Sequence, residues 1–248
     1  MKREPTLLAI DTATDACSVA VLAGGAITAH RSAAMARGQA EALMPMVIET
    51  LKAAGCAFAE ITAVGVTVGP GAFTGLRIGL SAARGIGLAA GIPVIGATTL
   101  EVLAGAVPAA ESAPDRIGAS VVAAIESKRA DLYIQSFGQS FGQSFGPGLA
   151  PLTAPASVMP EALAGHLPGG PLVLVGDGAA RAAEALNAPD RLTLSASGPH
   201  PDARVLASIA AARLADAGAA AADMPPPEPL YLRPPDAKRP AGGGRLRS

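Results

Sequence analysis

Two short stretches of this sequence have the residue types and the placement to hold a phosphate. Asp11-Thr12-Ala13-Thr14 follows the apolar run 6–10, and Gly69-Pro70-Gly71-Ala72-Phe73-Thr74-Gly75 lies between a strand-like and a helix-like run. Nucleotide-handling α/β folds place phosphate loops at such points, because free backbone N–H groups at a helix N-terminus attract an anion. Neither stretch has the lysine of a P-loop or the glycine spacing of a dinucleotide fingerprint. Asp11, Thr12, Gly69 and Gly71 therefore rank as vestigial phosphate-type positions, with a structural turn as the default. Asp11 has the chemistry of a general base, yet an Asp ending a strand equally caps the turn after it, and Asp177 between two glycines reads as a turn residue. His30, His166 and His200 show no metal-ligand spacing, and no segment reads as a nucleophile elbow. The residues predict no catalytic group and no metal.

The elements around these loops read as an α/β chain. Residues 6–11 form a buried strand, and two further strands flank Gly24-Gly25, which suits a hairpin turn. Residues 39–54 form a helix in which Ala40, Leu43, Met44, Val47, Ile48 and Leu51 share one core-facing arc. Pro45 is expected to kink or start that helix, and Met46 falls off the arc, presented outward. A strand at 61–68 leads into a helix at 73–90, a short strand at 92–96, and a helix capped by Thr98 or Thr99. In the 73–90 helix Gly75, Gly79, Ala83 and Gly87 recur every four residues. Each glycine costs about 1 kcal/mol against alanine in a helix interior, so something must approach this stripe closely. Either the protein's own sheet or a partner helix satisfies that requirement.

A second α/β unit follows the linker 107–116. Strands at 118–126 and 131–137 flank a charged turn, and Gln-Ser-Phe-Gly then repeats over 135–146 like a slippage insert. Helices at 160–164, 179–186 and 203–217 and a strand at 171–175 complete it, and 225–248 is Pro- and Gly-rich. The expected divisions are 1–106, 107–217 and 218–248, with the last helix of the second unit free to pack on the first.

Composition narrows the function classes. A chain of 248 residues that is 50% apolar can bury a substantial core. A net charge of −1 gives no reason to expect autonomous nucleic-acid binding. Cys17 and Cys56 form neither a disulfide framework nor a metal site, which fits a reducing cytoplasm. The apolar run after the N-terminus is too short for a signal peptide, and no apolar run reaches the ~20 residues of a membrane span. A soluble cytoplasmic protein is expected.

Several segments together resemble one family, TsaB (YeaZ). Leu7-Leu8-Ala9-Ile10-Asp11-Thr12 resembles its opening motif, Leu43-Met44-Pro45-Met46 a helical one, and Pro229-Leu230-Tyr231-Leu232-Arg233 its C-terminal one. The stretch 64–104, VGVTVGPGAFTGLRIGLSAARGIGLAAGIPVIGATTLEVLA, is similar to it nearly throughout. The resemblance implies an actin/Hsp70/sugar-kinase (ASKHA) fold with two related lobes and mixed sheets. It implies a non-catalytic subunit of the machinery that makes threonylcarbamoyladenosine in tRNA, working with a TsaD-like catalytic paralogue and a TsaE-like ATPase. No cofactor is then expected for the isolated chain, the ATP is used by the partners, and tRNA is contacted through the complex. Catalytic relatives hold metal through a histidine pair where this chain has Arg37-Gly38-Gln39-Ala40-Glu41, and phosphate loops of this fold carry glycine at Ala13. In this family the first two helices pair with those of the partner, or of a second copy in a homodimer. That implication turns Met46, Gly75, Gly79, Ala83 and Gly87 into expected interface residues. The competing readings are a stand-alone ATP-dependent small-molecule kinase and a peptidase acting on the paralogue.

Overall fold

Burial of all five residues of β1 (Leu7–Asp11) explains its unbroken apolar run, because both faces of its sheet are covered. The structure, a computed structural model, describes residues 4–108, 111, 119–138 and 150–233. β1 pairs antiparallel with β2 (Ala16–Ala23), which turns at Gly24-Gly25, both at positive φ, into β3 (Ala26–Ala34). On its other side β1 runs parallel to β4 (Ala63–Thr67), and β4 to β5 (Val94–Ala97), so the order is β3-β2-β1-β4-β5.

The second sheet repeats this plan. β6 (Ser120–Glu126) pairs antiparallel with β7 (Leu132–Gly138), which also carries β8 (Ala150–Pro151) and β9 (Ala156–Val158). On the other side β10 (Leu172–Val175) and β11 (Leu192–Leu194) follow in parallel, giving β11-β10-β6-β7-β8. In both sheets the first strand lies centrally, with its antiparallel hairpin on one side and two parallel strands on the other. This duplicated mixed sheet is the ASKHA arrangement.

Side-chain alternation on β1 divides the first lobe's core into two layers. Leu8 and Ile10 face α1 (Gln39–Ala53) and α2 (Phe73–Ala90), meeting Leu43, Val47, Leu51, Leu80 and Ala83. Leu7 and Ala9 face α6 (Ala203–Ala217), meeting Leu206, Ala207 and Ala210. The abundance of small residues has a direct use here: a Cβ on Gly65 of β4 would lie 3.0 Å from Ala210 Cβ, so α6 packs very close to the sheet. The stretch Ala203–Asp223, a helix continued by a turn of 3₁₀ helix, is long and apolar enough to cross a membrane by length and composition. It is nevertheless interrupted by Arg204, Arg213 and Asp216, and its Leu206 and Ala210 are spent on the sheet.

α3 (Thr99–Gly105) lies between the lobes. Its capping box is complete: Glu101 N–H donates to Thr98 Oγ1 (3.0 Å) and Thr98 N–H to Glu101 Oε2 (2.7 Å). Leu100 and Leu103 pack on the second sheet with Val121, Ile125 and Val175, whereas Val102 packs in the layer beneath the first. The opposite face of the second sheet is closed by α4 (Leu163–His166) and α5 (Ala179–Leu186).

Two readings of α1 differ from the structure: that Pro45 starts the helix, and that its whole apolar arc is buried. Pro45 lies inside a continuous helix, on its exposed side, where the Glu41 carbonyl left without an N–H partner can be solvated. The apolar arc is also wider than the buried face: Leu43, Val47 and Leu51 are inside, while Met44 and Ile48 are exposed. β8, β9 and β11 were not anticipated, being two or three residues long. Repeat residues 139–146 lie outside the described residues.

Candidate functional site

The two lobes enclose a cleft of about 970 Å³. Its walls come from the loop after β1 (Ala13, Thr14, Asp15), the start of α1, the start of α2, the β6–β7 turn (126–129) and residues 230–233. Both stretches singled out for phosphate chemistry thus reach the cleft, but each is turned against the other.

Thr12 Oγ1 donates to the Gly75 carbonyl (2.7 Å), and Ala72 N–H donates to the Ala13 carbonyl (2.7 Å). A Cβ on Gly71 would lie 2.2 Å from the Ala13 carbonyl oxygen, and one on Gly75 would lie 2.1 Å from that of Thr12. The α2 N-terminus is therefore stitched to the β1 loop, with the glycines permitting the approach. Gly69 has φ +109, and a Cβ there would lie 2.8 Å from the Leu230 carbonyl oxygen. Its missing side chain accommodates the chain's own C-terminal segment.

The same geometry corrects the expected interface stripe. Gly75, Gly79, Ala83 and Gly87 are buried in the protein's own interior. A Cβ on Gly79 would meet Thr12 Oγ1 at 2.6 Å, and one on Gly87 would meet Val94 Cγ2 at 2.5 Å. Ala83 belongs to the core layer between α2 and β1. Met46 is partly buried against that layer. The outer surface carries other residues: Met44 is 39% exposed, Ile48 55% and Leu88 87%. Gly85, in the exposed stripe of α2, would have nothing within 4 Å of an added Cβ.

Asp11 is fully buried and is absent from the cleft lining. Its Oδ1 accepts from Thr67 Oγ1 (2.6 Å) and Ala13 N–H (3.2 Å), while Oδ2 has no partner among the described residues. Burial pushes its pKa up to about 7, against the opposing pull of these hydrogen bonds, with the Asp202 charge adding to the rise. At the cleft itself Lys128 Nζ reaches Asp15 Oδ2 at 2.5 Å, joining the β6–β7 turn to the β1 loop. Asp177 accepts Glu126 N–H at 2.9 Å, and burial raises its pKa. Arg37, Gln39 and Glu41 line the cleft, and the Gln39 amide donates to the Met35 carbonyl at 3.0 Å. Among the described residues no three His, Cys, Asp or Glu side chains gather to hold a metal.

One constellation has the residue types of a hydrolase triad. His30 Nε2 lies 3.2 Å from Ser18 Oγ and 3.4 Å from Asp202 Oδ1. Both partners engage the same ring nitrogen, whereas a triad needs the serine on one nitrogen and the carboxylate on the other. Ser18 is buried and accepts the Ala203 N–H at 3.1 Å, so the group caps α6 onto the β2–β3 hairpin.

Sequence reasoning missed the aromatic and cationic cluster at the cleft mouth. Arg77 lies over the Phe73 ring at 3.8 Å, Phe73 contacts Tyr231 at 5.5 Å, and Arg77 Nε donates to the Tyr231 hydroxyl at 3.2 Å. The Phe73/Arg77 spacing of four residues was readable as a helix-surface pair. The partnership with Tyr231, 154 residues later, left no local signal.

A family model described as TsaD, tRNA N6-adenosine threonylcarbamoyltransferase, matches residues 31–232. The Escherichia coli (strain K12) tRNA threonylcarbamoyladenosine biosynthesis protein TsaB is 39% identical over 128 residues, 51% of this chain and 52% of that relative. The Haemophilus influenzae protein of the same description is 37% identical over 128 residues, again 52% of each. The chain spans about half the length of the curated relatives it matches. A Pseudomonas aeruginosa crystal structure, described as an uncharacterized protein with similarity to peptidase YEAZ, superposes with a TM-score of 0.75 at 29% identity. It covers 92% of this chain and 100% of its own. YeaZ from Pseudomonas aeruginosa gives 0.67 at 27% identity over the same shares.

Proposed function

The chain belongs to the family described as TsaD, tRNA N6-adenosine threonylcarbamoyltransferase, where its likeness is to the TsaB (YeaZ) proteins; on that premise we propose that it is a non-catalytic docking subunit in threonylcarbamoyladenosine biosynthesis. Its partner is a TsaD-like catalytic paralogue, with a TsaE-like ATPase supplying the use of ATP. tRNA is held mainly by the assembled complex, consistent with a net charge of −1. The working compartment is the cytoplasm.

The observation that carries this reading is how the two loops are used. In an active phosphate loop, backbone amides stay free for the ligand. Here the Ala13 and Ala72 amides are spent on Asp11 and on Ala13, and Asp15 is paired with Lys128. Those two amides are unavailable to a triphosphate, which weighs against the kinase reading. The shared ring nitrogen of His30 weighs against a serine peptidase.

Docking is supported by what α1 and α2 leave outside. Met44, Ile48 and Leu88 project from two adjacent helices, and Gly85 opens a side-chain-free patch in that exposed surface. A mid-helix glycine that approaches nothing in its own chain gains from a partner backbone instead. The same face serves a second copy of the chain when the paralogue is missing. The double variant Ile48→Glu/Leu88→Glu, tested for co-purification with the TsaD-like paralogue, should lose the complex while keeping a wild-type melting curve. Undiminished complex formation would remove α1 and α2 from the interface.

A further inference from the structure

The segment after α6 crosses from one lobe to the other along the mouth of the cleft. It starts on the first lobe, where Pro227 lies over Gly96: a Cβ on that glycine would be 2.7 Å from Pro227 Cβ. Arg84 Nη2 donates to the Pro227 carbonyl at 2.6 Å, and Leu230 N–H donates to the Val68 carbonyl at 2.7 Å. Tyr231 then joins Phe73 and Arg77 on α2. Two residues later Arg233 reaches the second lobe, its Nη2 lying 2.5 Å from Asp131 Oδ1.

The second-lobe end is built to receive that guanidinium. The Asp131 side chain is only 2% exposed, and Ser127 Oγ donates to the same Oδ1 at 2.8 Å. Ser157 Oγ donates to Oδ2. A buried carboxylate held by two hydroxyls retains its charge and fixes its direction, so one guanidinium has a defined seat. The two ends differ in grip. On the first lobe the segment is held by backbone hydrogen bonds, ring contacts and two glycines that leave it room. On the second its charged anchor is the Arg233 side chain on Asp131. Pro225, Pro226, Pro227 and Pro229 keep the arm extended between the two lobes.

We propose that residues 230–233 form a clasp that sets the opening of the inter-lobe cleft, with Arg233 on Asp131 as its latch. The exposed Lys128–Asp15 pair also joins the two lobes, but solvent and salt screen it. Release of Arg233 frees the lobes to part and widens access to the cleft. Because Leu230, Tyr231, Leu232 and Arg233 themselves line the cleft, release also removes part of its wall.

The test is a pulsed electron-resonance distance between spin labels at Lys52→Cys and Glu184→Cys in a Cys56→Ser background. Both label sites are exposed, one in each lobe. With Arg233 intact, one narrow distance population is expected. Arg233→Ala should shift weight to a broader population at changed distance, and Arg233→Lys should return most molecules to the narrow one. Identical distributions in all three proteins would overturn the clasp. So would a loss of folded circular dichroism signal in Arg233→Ala, since a latch between two finished lobes is dispensable to their folding.

Discussion

Replacing Gly75 and Gly85 of α2 by alanine should move stability in opposite directions, although the two positions share one helix and one sequence context. Alanine is favoured over glycine in a helix interior by about 1 kcal/mol. At Gly85 nothing lies within 4 Å of the new methyl, so that gain is kept in full. For a chain of this size it amounts to a rise in Tm of about 2–4 °C. At Gly75 the methyl would sit 2.1 Å from the Thr12 carbonyl oxygen, a backbone atom unable to swing aside. α2 must then lift off the β1 loop. Overpacking of this kind costs about 1–3 kcal/mol, and loss of the Thr12 Oγ1 hydrogen bond to the Gly75 carbonyl costs about 1 more. Set against the propensity gain, the net loss is about 1–3 kcal/mol. Urea denaturation with a common m-value reads both changes on one scale. A Gly75→Ala protein as stable as wild type would refute the stitched-loop geometry, and a destabilised Gly85→Ala would show that this stretch of α2 is not open.

Two further substitutions probe the loops. Folding raises the Asp11 pKa from 3.8 to about 7, so the folded state favours the protonated form. Stability is fully present below pH 3.8, declines as pH rises towards 7, and levels off beyond; the span is about 4 kcal/mol at 1.36 kcal/mol per unit. Asp11→Asn should remove that slope between pH 4 and pH 7, which urea midpoints will report; an unchanged slope assigns it elsewhere. Ala13→Gly, which restores the glycine of an active phosphate loop, should still give no saturable ATP binding by titration calorimetry. The obstruction lies in the α2 N-terminus, and gain of ATP binding by that one change would revive the kinase reading.

What could be read from the sequence was local. α2 spans Phe73–Ala90 as expected, ending at Gly91 in the left-handed conformation, because strand, loop and periodic helix follow one another without interruption. The Gly75/Gly79/Ala83/Gly87 stripe announced a close approach correctly in kind and wrongly in partner. A glycine pattern states that a neighbour comes near, not which chain it belongs to, and the family resemblance tipped the choice towards the partner. The neighbour is the Thr12 loop and β5 of the same chain. Met44 and Ile48 were assigned to the core because apolar periodicity cannot separate a buried face from an uncovered one. The contacts that define the cleft join residues far apart: Lys128 and Asp15 are separated by 113 positions. The C-terminal segment was read as irregular, since a proline-rich extended arm has no period to recognise.

The account stands on one functional claim, that the chain works by presenting the outer faces of α1 and α2 to a catalytic paralogue. The direct test is nucleoside analysis of bulk tRNA from cells depleted of this protein and then supplied with variants. Threonylcarbamoyladenosine should fall on depletion, return with the wild-type chain and with Asp11→Asn, and stay low with folded Ile48→Glu/Leu88→Glu. Full restoration by that double variant, or tRNA left unchanged by depletion, would contradict it.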